Sequence, residues 1–257
     1  MSNFPEEQIN RFEKELAEAR ANSDRKAEAK NLCNLGWIHC WHTEDGVDPA
    51  IEYHQQSLAI AREIGDKLQE AENLSGLGQC YGLSWHDKGD HEKAKNLFEQ
   101  ALAIAREIGD QAHESTYLHD IGHMWSRQDD YQQALNCYQQ ALAIARELGD
   151  RHDEANNLYN IGITSRALKD YQRAIDCVQQ SIALFESLDA HDQFSVAHNL
   201  GTLADIYYEM GDYPQARYYY EQGVALLPSL RETQQKGLHS YFEHLKTEMP
   251  EVFREGK

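Results

Sequence analysis

Apolar and small residues recur along this chain at intervals of three and four, which is the spacing of one face of an α-helix. No segment alternates apolar and polar residues as a half-buried β-strand does. The same helical pattern returns after 40 to 44 residues, and such a period is typical of an array of similar units rather than one mixed domain. The pattern therefore predicts an all-α fold made of tandem helical pairs.

Three repeated phrases define these units. The first is LAIAREIGD at residues 58–66 and 102–110, with LAIARELGD at 142–150. The second is a leucine, then leucine or isoleucine three residues later, then a small residue, which is Gly36, Gly78, Gly122, Gly162 or Ala204. The third begins with an alanine and is followed four residues later by His54, Phe98, Tyr138, Val178 or Tyr220. Small residues at facing positions would let the two helices of a pair approach closely.

The helix boundaries also carry a repeated signature. Gly65, Gly109 and Gly149 stand where a helix ends in the left-handed conformation that glycine tolerates. The aspartate after each glycine has a side chain suited to capping the next helix, and Asp66 with Gln69 resembles a capping box. Each unit is therefore predicted to be a pair of helices with defined ends.

These phrases resemble the tetratricopeptide repeat family, in the long form that closes with Gly-Asp and is similar to spindle-orientation adaptors and to stand-alone bacterial arrays. The resemblance covers about residues 5–230. It rests most clearly on Leu74, Leu77, Gly78, Tyr81, Ala94, Phe98 and Ala101. It implies an α-solenoid of five helical hairpins. The units here depart from the family in exceeding its usual length of about 34 residues and in lacking its closing proline internally.

The resemblance also gives expected boundaries for a single superhelical domain over residues 1–257. A terminal repeat would leave one apolar face exposed, so a capping helix is expected at each end. The expected segments are an N-terminal capping helix at 5–24, repeats at 25–66, 67–110, 111–150, 151–190 and 191–229, a C-terminal capping helix at 230–248, and a frayed tail at 249–257.

In this family the first helix of each pair lines a concave groove, which implies a scaffold or adaptor that binds a peptide segment or a partner helix. Asparagine suits such a groove because its amide can both donate to and accept from a peptide backbone, and arginine can bind a carboxylate through two bonds. The predicted groove residues are Lys30, Asn34, Trp37, Gln79, His119, His123, Arg127, Asn156, Tyr159, Asn160, Arg166, Asp205 and Tyr208. A polar, solvated groove without a ligand is the alternative.

One known variant of the family holds a C-terminal carboxylate with lysine, asparagine and arginine side chains across three units. Lys30 and Asn34 match that clamp in the first unit, but Gly76 replaces the asparagine of the second. Thr116 and Asp120 replace the basic residues of the third, and an aspartate would repel a carboxylate. Binding of a chaperone C-terminal tail is therefore not expected.

The turns inside the first two pairs are two and four residues longer than those of the third and fourth pairs. Each longer turn carries a Trp-His dipeptide, Trp41-His42 and Trp85-His86. Exposed tryptophan is typical of contact sites because it offers a large area and one polar group. These four residues form a hypothetical binding lip; the alternative is that each tryptophan packs into its own hairpin.

The charge limits the choice of partner. A formal net charge of −19 disfavours binding to nucleic acid or to an anionic membrane surface and favours a basic protein partner. Residues 1–10 show neither a basic region nor an apolar core, so no secretory signal is expected, and no apolar run is long enough to span a bilayer. Five cysteines without a compact disulfide framework favour a reduced, cytoplasmic protein.

No pattern indicates catalysis. Phosphate-binding loops, dinucleotide fingerprints and nucleophile elbows are missing from the sequence, so neither an enzyme nor a cofactor is expected. His119 and His123 share a helix face, as metal ligands do, but a third ligand is not evident, so no metal is expected.

Other roles remain open. The alternatives are a regulator whose curvature changes with a small peptide or metal, and a non-catalytic subunit of an enzyme complex. Self-association through the C-terminal tyrosines is a further prediction, because three consecutive tyrosines at 218–220 cannot all face the core of a helical array.

Overall fold

The computed structural model describes residues 4–42, 47–82, 90–188 and 192–253. Over these ranges every regular element is helical, which confirms the predicted all-α class. In chain order the elements are α1 (Phe4–Ala21), α2 (Arg25–His42), α3 (Asp48–Ile64), α4 (Lys67–Gly82), α5 (His91–Ile108), α6 (Gln111–Arg127), α7 (Tyr131–Leu148), α8 (Arg151–Ala167), α9 (Tyr171–Ser187), α10 (Gln193–Glu209), α11 (Tyr213–Leu226), a 3₁₀ turn (Leu227–Ser229) and α12 (Glu232–Glu248).

The chain forms two compact units, Met1–Asp130 and Tyr131–Lys257. In the first unit α2 pairs with α3 and α4 with α5, and α1 packs on α2. In the second unit α8 pairs with α9 and α10 with α11, and α12 packs on both α10 and α11. Helices that are consecutive in sequence are therefore neighbours in space within each unit, as the repeated phrases predict.

The predicted capping signals sit at the helix ends. Gly65, Gly109 and Gly149 have φ of 71°, 72° and 70° and lie directly after α3, α5 and α7. The carboxylate of Asp66 accepts the backbone N–H of Gln69 at 3.2 Å, and the carboxylate of Asp110 accepts that of His113 at 3.1 Å. These bonds satisfy N–H groups that the first turn of a helix leaves without partners.

The arginine of the repeated LAIAREIGD phrase links the end of one helix to the start of the next. The Nε–H of Arg62 donates to Glu70 at 2.8 Å, eight residues further on. Arg106 makes the same bond to Glu114 at 2.7 Å. Because the arginine of each ion pair is about half exposed, each pair contributes no more than about 1 kcal/mol.

The small residues hold the helices of a pair close together. A Cβ added to Gly36 would lie 2.7 Å from the His54 ring, one added to Gly78 would lie 2.8 Å from the Phe98 ring, and one added to Gly162 would lie 2.6 Å from Val178. The five alanines that open the third phrase are fully buried; they are Ala50, Ala94, Ala134, Ala174 and Ala216. In each pair, the aromatic or branched side chain of the second helix therefore fills the space beside the small residue of the first helix.

Adding one methyl group at Gly76 or at Gly237 is expected to shift stability in opposite directions. Gly76 lies in α4, where a Cβ would be 2.3 Å from the buried His54 ring; at Gly237 in α12 a Cβ would meet nothing within 4 Å. Gly76→Ala should therefore lower the free energy of unfolding by about 1–2 kcal/mol, because of overpacking. Gly237→Ala should raise it by about 0.5–1 kcal/mol, since glycine disfavours a helix interior.

Urea unfolding followed by circular dichroism measures both effects. A Gly76→Ala protein as stable as the parent would show that the α2, α3 and α4 contact is looser than the structure indicates.

The C-terminal region corrects one expectation. Met249 and Val252, which follow α12, are buried in the same apolar cluster as Tyr220 and Phe242. The Phe253 ring packs against Tyr220 with centroids 4.8 Å apart. The prediction of a frayed tail from residue 249 is therefore wrong for residues 249–253. Apolar side chains in this short segment belong to the same cluster as Tyr220 and Phe242.

Candidate functional site

Three first helices of the first unit, α2, α4 and α6, enclose a recess of about 350 Å³. Three of the predicted groove residues, Asn34, Trp37 and Gln79, line it. The remaining lining residues are Cys33, Glu72, Ser75, His113, Thr116, Tyr117 and Asp120. The structure therefore brings part of the predicted groove together, with the carboxylates of Glu72 and Asp120 in the same lining.

The two carboxylates of the recess differ from exposed ones. Burial raises the pKa of Asp120 to about 7, an effect that a hydrogen bond from Gln79 partly offsets. Burial also raises the pKa of Glu72, whose carboxylate accepts a hydrogen bond from Gln69 at 2.9 Å and lies 3.9 Å from His113 Nε2. An approaching cation stabilises the ionised form of such carboxylates, because a positive charge offsets the free-energy cost of burying a negative one.

Aromatic side chains form another part of the recess. The half-buried Trp37 contacts the His54 ring edge-on, with centroids 5.2 Å apart, and keeps its remaining surface toward the recess. Tyr117 is only 2% exposed, and its hydroxyl has no hydrogen-bond partner among the described residues. A buried hydroxyl without a partner carries an energetic cost that a ligand atom would remove.

The other predicted groove residues of the first unit lie outside this lining. Lys30 is exposed on α2 and attracts the Glu72 carboxylate, which lowers the pKa of Glu72 slightly against the effect of burial. His119, His123 and Arg127 lie on α6, and the Nε of Arg127 is 3.5 Å from His91 Nε2. Within the described ranges no three His, Cys, Asp or Glu side chains are grouped as metal ligands.

In the second unit, Arg166 is already paired. Its guanidinium contacts Asp205 and donates to Glu209 at 2.7 Å. Arg166 and Asp205, both predicted groove residues, thus belong to one ion-pair cluster across α8 and α10. A partner would have to compete with Glu209 and Asp205 for Arg166, and the role of both residues in a groove stays a prediction.

Three further predicted residues of the second unit, Tyr208, Tyr159 and Asn156, have side-chain partners within the chain. The Tyr208 hydroxyl donates to Glu251 at 2.8 Å, and the Tyr159 and Thr202 hydroxyls lie 3.3 Å apart. Asn156 bonds to His152 at 3.0 Å, while Asn160 is half-buried on the same helix. These polar groups stabilise the helix pairs, so their availability to a ligand is lower than the sequence pattern suggests.

The predicted binding lip is described only in part. Trp41 is the penultimate residue of α2 and has 51% of its surface exposed, which is compatible with a contact site. The side chain of His42, and Trp85 and His86 as a whole, lie outside the described residues. The lip stays a prediction.

Two features escaped the sequence reasoning. Tyr117 and His113 line the recess, but Tyr117 directly precedes the packing residue Leu118 and gave no separate signal. A second cavity of about 550 Å³ lies among α9, α10 and α11, with Val196, Leu200 and Leu226 in its lining. In the sequence these apolar residues have the pattern of ordinary core positions. The gap between them depends on the spacing of the helices, which the sequence pattern does not show.

Comparison with known families decides the identity of the fold. A sequence model of the tetratricopeptide repeat matches residues 40–107, 82–147, 115–187 and 153–229. This chain belongs to the tetratricopeptide repeat family. Curated protein sequences gave no significant match to this repeat protein. None of its helices in the described ranges is long and apolar enough to cross a bilayer.

Solved structures of similar fold are distant in sequence. BtubC (BKLC) from P. vanneervenii superposes with a TM-score of 0.76 at 19% identity, over 89% of this chain and 92% of that one. Aspartyl phosphate phosphatase F from Bacillus subtilis gives 0.72 at 19%, over 90% and 58%. NprR in complex with its cognate peptide NprX gives 0.56 at 18%, over 79% and 58%. This repeat protein spans little more than half of the latter two, and identities this low show the fold alone.

Proposed function

We propose that this tetratricopeptide repeat protein is a non-enzymatic adaptor that binds a peptide segment in the recess between α2, α4 and α6, and that the segment carries a lysine or arginine at that point. The observation that carries the proposal is the pair of half-buried carboxylates with raised pKa values, Glu72 and Asp120, beside the aromatic ring of Trp37. A related fold, NprR, was crystallised with a peptide, which supports a peptide as the ligand.

The recess offers a distinct contact for each part of such a segment. The Trp37 ring suits the aliphatic stem and the charge of a lysine or arginine, since aromatic faces attract cations. The amides of Asn34 and Gln79 suit the peptide backbone, because each can donate and accept.

Binding should depend on pH in a defined direction. Burial raises the pKa of Asp120 to about 7, so this carboxyl is partly protonated at neutral pH. A bound cation favours the ionised carboxylate, so binding releases a proton. Affinity should therefore increase as the pH rises from about 6 to about 8.

Removing the two charges should weaken binding of a cationic peptide by about tenfold or more. The probe is a seven-residue peptide taken from a displayed random library by selection on the full chain. Titration calorimetry then compares the parent with the Glu72→Gln, Asp120→Asn double variant. We expect lysine or arginine to be enriched in the selected sequences and the double variant to lose affinity.

The matched control removes two charges elsewhere. Glu99 and Glu107 are exposed on α5, so Glu99→Gln, Glu107→Gln changes the net charge equally and should leave affinity within about twofold. Equal losses in both double variants would mean that only the overall charge matters. Selected peptides without basic residues, or an unchanged affinity in the recess variant, would contradict the proposal.

A further inference from the structure

Two cysteines from different helices meet in the first unit. Cys40 lies in the last turn of α2 and Cys80 near the end of α4, forty residues apart in the chain. Their Sγ atoms are 3.5 Å apart, and both are free thiols. A disulfide bond needs about 2.05 Å between sulfurs, so an approach of about 1.5 Å would join them.

The surroundings make the two thiols unequal in acidity. The side chains packed around the pair are apolar, with Ala50 buried and Val47 and Ile51 partly buried. Cys80 donates a hydrogen bond to Cys40, which lowers the pKa of Cys40, while the same bond and burial raise the pKa of Cys80. Cys40 is therefore the thiol that ionises first. Cys40 is 7% exposed and Cys80 1%, and the residue after Cys40 is the exposed Trp41, so a small oxidant reaches Cys40 first.

We propose that Cys40 and Cys80 form a redox-modification site, at which a peroxide converts the two thiols into a disulfide that ties α2 to α4. The Cys40 thiolate attacks one peroxide oxygen; an S–O bond forms, the O–O bond breaks, and the released hydroxide takes a proton to become water. The Cys80 thiol then attacks the sulfenic sulfur as it gives up its proton; the S–S bond forms, the S–O bond breaks, and the leaving hydroxide takes that proton and departs as a second water. Two thiols and one peroxide thus give one disulfide and two waters, with both sulfurs oxidised and both oxygens reduced.

The cross-link would fix the distance between two helices that line the recess. Trp37 precedes Cys40 by one helical turn on α2, and Gln79 directly precedes Cys80 on α4. The disulfide would therefore restrain the end of the recess nearest these residues. The site stands on the sulfur geometry alone and does not depend on the recess binding a peptide.

Thiol counting on the full chain tests the site. The reduced protein is treated with hydrogen peroxide at low protein concentration, alkylated and weighed intact, then digested with trypsin. We expect alkylatable thiols to fall from five to three, with a mass loss of about 2 Da before alkylation. The new linked fragment should join residues 31–62 to residues 68–88. The oxidised protein should also melt at a higher temperature than the reduced one.

Two variants separate this site from other thiol reactions. Cys33→Ser removes the other cysteine of fragment 31–62 and should keep both the cross-link and the rise in melting temperature. Cys40→Ser should lose both. Five thiols that all remain alkylatable, over-oxidation of Cys40 without a link to Cys80, or a link that persists in Cys40→Ser would each overturn the proposal.

Discussion

Truncation of Phe98 to alanine is expected to lower the free energy of unfolding by about 3–5 kcal/mol. Phe98 on α5 is 1% exposed, and its ring packs on Gly78 of α4. Gly78 has no side chain that could fill the space left by a truncated Phe98. The loss combines the transfer free energy of the ring with the cost of a cavity that the two helices cannot close. Chemical denaturation followed by circular dichroism measures the change.

An exposed aromatic residue provides the control for this truncation. Tyr218 on α11 is 53% exposed, and its ring contacts Tyr219, so Tyr218→Ala should cost less than about 1 kcal/mol. If both truncations had similar effects, burial over Gly78 would not be the source of the stability. A loss at Phe98 below about 1.5 kcal/mol would mean that α4 and α5 collapse to fill the space.

Acid should destabilise the protein through His54, and the variant His54→Phe should remove most of that effect. His54 is fully buried, its Nδ1 lies 3.2 Å from Asn73 Oδ1, and its Nε2 has no partner among the described residues. Burial lowers the pKa of this histidine from 6.5 to about 4. The unfolded chain therefore takes up a proton near pH 6.5, while the folded chain resists it until about pH 4.

The direction of the pH dependence follows from the difference between the pKa of His54 in the unfolded chain and its pKa in the folded chain. Between these two pKa values the unfolded state binds more protons, so the stability that His54 contributes is complete above about pH 6.5 and is lost as the pH falls toward 4. Between about pH 7 and about pH 4.5 the loss amounts to about 2–3 kcal/mol. Asp120 acts in the opposite direction, because its raised pKa makes protonation favour the folded state below about pH 7.

Comparison with His54→Phe separates the two groups. The phenylalanine keeps a ring over Gly36 and Gly76 and matches the residue at the equivalent place in the next unit, Phe98. Asp120 contributes equally to both proteins and cancels in the difference. Denaturation curves at about pH 7 and about pH 4.5 should show a loss of stability in the parent that exceeds the loss in the variant by about 2–3 kcal/mol. Parallel losses would show that the buried ring is protonated without penalty.

The recess shows what a repeat pattern reveals about a binding site. Asn34, Trp37 and Gln79 were predicted from the register of the first helices, and all three line the recess. Arg166 and Asp205 came from the same register, yet the structure pairs them with each other. Register tells which side of a helix a residue occupies, but which polar side chains satisfy one another depends on distances between helices.

The repeated phrases determine the all-α class, the succession of helical pairs and the positions of the helix ends, because these features depend on local properties of the sequence. Glycine after a helix, aspartate before one, and small residues every three or four positions act over a few residues each. The contact of Gly78 with Phe98 can also be predicted from the sequence, because the two residues occupy fixed places in a single hairpin.

Tertiary structure alone decides the chemistry of the first unit. Glu72 and Asp120 lie forty-eight positions apart in the chain, and only the packing of α2, α4 and α6 places both in one recess and raises their pKa values. The same packing brings Cys40 to Cys80 and leaves the Tyr117 hydroxyl unpaired among the described residues. Burial and proximity between distant segments have no local signature, because they arise only when helices far apart in sequence share one interior.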